Sequence, residues 1–181
     1  MRSLSIVLAL LVATLPALAN SPSPYAGEHQ RQIKALSPGE IDDLRNGRGM
    51  GLAKAAELNS YPGPAHVLEL AAELALTAEQ AERTEALRAR MSREAAALGD
   101  AILVAEAALD RLFRDGRADA QAVERASVEI GALQGRLRAV HLNTHIEMKA
   151  LMSPDQVAAY DRLRGYAAAG RPPAGHDGHR H

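Results

Sequence analysis

The chain has 181 residues, 47% of them hydrophobic, but 37 are alanine, aromatics make up only 3%, and tryptophan and cysteine are absent. A sheet core draws on β-branched and aromatic side chains, so this composition points to helices. The missing cysteines exclude disulfides, thiolate metal sites and cysteine nucleophiles. With 21 basic and 22 acidic residues, a net charge of −1 excludes polyanion binding on bulk charge.

Arg2 precedes an apolar run from Leu4 to Leu15, then Pro16 and Ala17-Leu18-Ala19. A basic start, a short apolar stretch and an A-x-A site predict a signal peptide over 1–19, cleaved after Ala19. The run is shorter than the ~20 residues of a spanning helix, and no later stretch replaces it. The expected product is an exported, periplasmic protein without a membrane span and without a nucleic-acid partner.

Residues 20–36 are Pro/Ser-rich and polar, and read as a flexible leader. Ser37-Pro38-Gly39-Glu40 has capping-box spacing and opens a short helix that Asn46-Gly47 stops. A second short helix is expected over Leu52 to Leu58, and a third from Pro64 through His66, Leu70 and Leu74. Thr77-Ala78-Glu79-Gln80 is another capping box. From there the stripe Leu87, Met91, Ala95, Leu98, Ile102, Ala105, Leu109 and Leu112 predicts one helix of nearly forty residues, ended by Gly116.

Asp119 caps a return helix carrying Val123, Ala126, Ile130, Leu133, Leu137, Val140 and Thr144. Ser153-Pro154-Asp155-Gln156 starts a last helix through Tyr160 and Leu163. The expected fold is all-α: a long antiparallel helical hairpin with short flanking helices over 37–169, and a His-containing tail over 170–181. Ala97, Ala101, Ala105 and Ala108 form a small-residue face on the outgoing helix, which predicts a homodimer.

No phosphate loop, serine elbow or isolated carboxylate pair is present, so catalysis is not expected. Histidine and methionine carry the remaining chemistry. His141 and His145 stand four apart on one helix face, a spacing that lets both imidazoles reach one metal ion. Glu147 and Met148 continue beside them, and His66, Glu69 and Glu73 on the early helix are candidates to complete the site. His176, His179 and His181 in the tail form a second, weaker chelating set. Zinc, nickel, cobalt or copper would suit these donors.

Leu76-Thr77-Ala78-Glu79-Gln80 is echoed 76 residues later by Met152-Ser153-Pro154-Asp155-Gln156. With two such corners in an exported, cysteine-free helical chain, residues 66–166 resemble the periplasmic LTxxQ-motif family. That family includes Spy/CpxP-type stress chaperones and ZraP-type or heavy-metal-sensor proteins. The first motif fits fully; the second is a conservative variant.

The resemblance implies a dimeric cradle that holds unfolded clients without ATP, or that binds metal and signals to a membrane-bound regulator. The chaperone is the leading expectation, with arginines such as Arg83, Arg90, Arg93, Arg136 and Arg138 around the binding surface and the client-binding residues unassigned. The metal-binding sensor or scavenger is the alternative. In the sensor branch, paired early histidines and a methionine four after the late histidine supply ligands; here only His66 is present early, and the residue after His141 at that spacing is His145. Residues 49–64 are not explained by the chaperone branch and read as a branch-specific cap over the hairpin, without an assigned function.

Overall fold

The structure, a computed structural model, describes residues 23–166. The signal peptide expected over 1–19 and the tail histidines His176, His179 and His181 lie outside them. The described residues are helical, without strands: α1 (Pro38–Arg45), α2 (Lys54–Glu57), α3 (Pro64–Glu69), α4 (Ala78–Arg114), α5 (Ala120–Leu151) and α6 (Pro154–Leu163), after a 3-10 turn at Glu28–Gln30. No described helix is long and apolar enough to cross a membrane.

The helices begin where local chemistry starts them. Ser37, Thr77 and Ser153 each accept a hydrogen bond from the backbone N–H three residues on, and Glu40, Gln80 and Gln156 each accept one from the cap residue in return. Asp119 caps α5 by accepting from the Ala122 N–H. After α4, Gly116 sits at φ 65, and the Arg117 and Gly116 N–H groups close on the Leu112 and Phe113 carbonyls. This is a Schellman end, which needs a left-handed residue. The predicted third helix stops sooner than its pattern suggested. It ends at Glu69, and the chain turns irregularly to Ala75, which takes φ 47 in a second closure of the same kind.

The 37-residue α4 and the 32-residue α5 pack along one another as a long pair. Ile130, Leu137 and Thr144 are buried on α5, and most buried apolar residues fall into two clusters. One gathers Ile41, Leu44, Ala95, Ile102, Leu103 and Leu137; the other gathers Val67, Leu74, Leu87, Met148, Met152 and Tyr160. Ile33 belongs to the first cluster at 5% exposure. The leader is therefore not loose throughout: its few apolar residues, Ile33 and Leu36, return to the core and carry the polar residues between them.

The two echoed corners meet. The Gln80 side-chain amide donates to the Gln156 carbonyl oxygen at 2.9 Å, and the Gln156 amide donates back to Gln80 at 3.0 Å. The same amides donate to the Leu151 and Leu74 backbone carbonyls. Each glutamine thus caps its own helix with its oxygen and ties the other corner with its nitrogen. The 76-residue offset records two equivalent halves of one interlocked joint.

Gly99 lies inside α4, where the α1 end crosses. A Cβ there would collide with the Leu44 carbonyl oxygen, which is backbone and cannot step aside. Alanine at Gly99 should therefore lower stability by about 1–3 kcal/mol, despite its better helix propensity. Alanine at Gly131, where an added Cβ meets nothing within 4 Å, should raise stability by about 0.5–1 kcal/mol. Urea midpoints of the two variants, moving in opposite directions, check this.

Candidate functional site

Along the buried face of α5 the sequence runs Leu137, His141, Thr144, His145, Met148. Leu137 belongs to one apolar cluster and Met148 to the other, so the histidines and Thr144 form a polar layer between them. His141 is 2% exposed and His145 6%. Burying an imidazole costs free energy unless its nitrogens find partners, so each nitrogen has to be accounted for. Thr144 settles its own hydroxyl by donating to the Val140 carbonyl.

His145 Nδ1 lies 2.8 Å from the Tyr61 carbonyl oxygen. A carbonyl only accepts, so Nδ1 carries the proton and the neutral ring keeps its lone pair on Nε2. The Gly63 backbone closes over that ring: a Cβ at Gly63 would stand 2.9 Å from Cε1 and 3.2 Å from Nε2. His141 Nε2 is buried and has no hydrogen-bond partner. Two ring nitrogens four residues apart are thus set up differently, one oriented by a backbone carbonyl and the other bare.

Both histidines line a cleft of about 470 Å³ between the long pair and residues 49–66. This segment, unexplained in the sequence, is a lid over the polar layer. It is pinned at Glu57, whose Oε1 accepts from the Tyr160 hydroxyl at 2.7 Å, the Tyr166 hydroxyl at 3.1 Å and His66 Nδ1 at 3.1 Å. Arg164 stands 3.5 Å away. Burial pushes the Glu57 carboxyl up, but the Tyr160 bond, the His66 charge and the Tyr166 bond outweigh it and hold the group below its usual range. Burial and the bond to Glu57 push the Tyr160 hydroxyl far above its ordinary value, so it remains a donor. Lys149 lies 4.0 Å over the Tyr61 ring and fastens the other side of the lid to α5.

The predicted site residues separate accordingly. His66, His141 and His145 come together on one cleft. His66, however, spends Nδ1 on Glu57 and faces Arg164 with Nε2 at 3.4 Å, so it serves the lid. Met148 is fully buried in the apolar cluster and does not line the cleft. Glu69 and Glu73 are exposed and away from it, and Glu147 pairs with Arg90 at 2.6 Å. The motif residues Leu76, Thr77, Gln80, Met152, Ser153 and Gln156 build the interlocked joint. Sequence reasoning missed Glu57, Tyr160, Tyr166 and Arg164, and it read Met91, which lines the cleft, only as core. Among the described residues no three His, Asp or Glu side chains are grouped to hold a metal ion.

Comparisons with protein-family models, curated proteins and solved structures gave no match.

Burial first, then the neighbouring His145, holds His141 below the usual histidine range. The unfolded chain takes up a proton there near pH ~6.5 while the native chain resists it. Stability from this residue is complete above that pH and falls as the pH drops below it. The urea midpoint should decline as the pH falls through about 6.5, and His141→Gln should flatten the decline. An equally steep decline in the variant would contradict the assignment.

Proposed function

We propose that this protein is an exported binding protein of the periplasm that takes up a transition-metal ion under its lid, with His141 and His145 as the nitrogen ligands. The observation that carries this reading is the His141 Nε2 atom, buried without a hydrogen-bond partner on a residue that lines the cleft together with His145. An unsatisfied buried nitrogen costs about 1–3 kcal/mol, and a leucine at this helix position would avoid the cost. A metal ion removes it by taking the lone pair. The His145 bond to the Tyr61 carbonyl fits the same role, because a ligating imidazole commonly donates its other N–H to an oxygen that fixes ring and tautomer. Desolvation keeps His141 neutral and available near neutral pH. The lid supplies the orienting carbonyl, and the LTxxQ family that the chain resembles includes metal-binding members, whose early histidine pair this chain lacks.

The finer architecture belongs to the same proposal: α4 and α5 form the two arms of a hairpin that associates as a homodimer. We place its seam away from the alanine face expected on α4, where Ala97 is exposed but Ala105 is buried and Ala101 and Ala108 are half-buried. On α5, directly opposite the buried residues, Val128, Ala132, Gly135, Ala139, Leu142 and Ile146 repeat at alternating spacings of four and three. Val128 is 67% exposed and Ile146 55%. This is the spacing of a coiled-coil seam, with Glu129 and Arg136 flanking it as a self-complementary charge pair in an antiparallel arrangement. Client capture, the chaperone reading, would use this same face.

Zinc titration followed by calorimetry should show one site per chain, lost in the His141→Ala/His145→Ala variant; unchanged affinity would exclude the site. Ala139→Glu should convert a dimer to a monomer by sedimentation equilibrium. A wild-type monomer that suppresses client aggregation, and loses this with Ala139→Glu, would favour the chaperone instead.

A further inference from the structure

Resting on the metal-binding reading, we infer that the ion this cleft is built for is monovalent copper, held by His141 and His145 together with the thioether of Met91, and with Met50 of the lid closing over it. Four-coordinate zinc would need at least one further imidazole, carboxylate or water beside the histidine pair. The cleft offers little of that kind: His66 and Glu57 are already bonded to each other, and among the described residues no third His, Asp or Glu joins the pair. The cleft does offer sulfur. Met91 projects from α4 and Met50 from the lid, and both line the space that His141 and His145 line. Monovalent copper is satisfied by two or three ligands and selects thioethers and imidazoles over oxygen donors. A set of two imidazoles and one or two thioethers is short for zinc and complete for this ion.

Met50 carries a second, independent observation. It takes φ 43 between Gly49 and Gly51, and it is 41% exposed. A bulky residue in the left-handed region is strained, and the two neighbours are glycines, which adopt that region freely. A third glycine would relieve the turn. Instead the strained position carries a thioether at the cleft rim. Exposed and strained, the side chain contributes little to the core, so its position is explained by what it closes over. The buried, unpartnered His141 nitrogen supplies the fixed end of the same site.

Anaerobic titration of the full chain with monovalent copper, in competition with a chromophoric copper chelator, tests this beside zinc titration. Met91→Leu, which conserves volume, is expected to weaken copper binding at least tenfold and leave zinc binding unchanged. Met50→Leu is expected to weaken copper binding less, again without effect on zinc. His141→Gln is expected to weaken both. Copper affinity unchanged in both methionine variants, with His141→Gln still destroying binding, would overturn the copper assignment and leave the histidine site standing. Indifference of both metals to His141→Gln would overturn the metal-binding reading itself. Selenium-edge absorption of selenomethionine protein guards against misfolded variants: a copper neighbour at selenium supports the assignment, and its absence in the copper-loaded protein overturns it.

Discussion

Everything proposed for this protein depends on one carboxylate, Glu57. The lid is a poor structure in isolation, since α2 is only four residues long, it has no side-chain cap, and the flanking turns force Met50 and Ser60 into left-handed backbone. It is held because Glu57 gathers two tyrosine hydroxyls and an imidazole from α3, α6 and the end of the described chain. Hydrogen bonds to a charged acceptor contribute about 1.5–3 kcal/mol each, although bonds sharing one acceptor do not add. Removing the carboxylate would leave three donors without their partner and free the lid from α6. Tyr61 and Gly63 would then no longer bound the His145 ring, and the polar layer would face water.

The interlocked glutamines act on the same assembly from below. Gln80 and Gln156 fix the corner before α4 against the corner before α6, and so set where α6 lies along the long pair. Tyr160 is on α6, two turns past the corner, and it is the fully buried residue that reaches Glu57. The Gln joint, the Tyr160 hydroxyl and the lid form one chain of contacts. A motif that reads as two ordinary helix caps is thereby connected to the geometry around His141 and His145.

The legible parts of the sequence were the local ones. Ser37, Thr77, Asp119 and Ser153 cap helices through neighbours three residues away, so a sequence pattern suffices, and the long stripes follow from their periodicity. Glu57 reaches its two tyrosines across 103 and 109 positions, and the lid meets His145 and Tyr160 through Tyr61 and Gly63 across 84 and 97. No spacing rule reaches that far. Gly99 passed unnoticed within a good helical pattern, because the reason for it is a backbone crossing from α1. Met91 belongs to the apolar stripe of α4 yet lines the cleft, and Met148 stands beside the histidines in sequence yet packs with Val67 and Tyr160. Composition hid Ile33 in a polar leader, where one buried side chain is enough to bring the segment down.

The histidine pair can be read directly by two-bond proton–nitrogen correlation spectra of the imidazoles, recorded before and after adding equimolar zinc or, anaerobically, monovalent copper. In the free protein, His145 should show its proton on Nδ1 and His141 a bare Nε2. On adding metal, the Nε2 signals of His141 and His145 should shift together at one equivalent while His66 keeps its Nδ1 proton. Shifts confined to His176, His179 and His181, with the buried pair unmoved, would contradict the account.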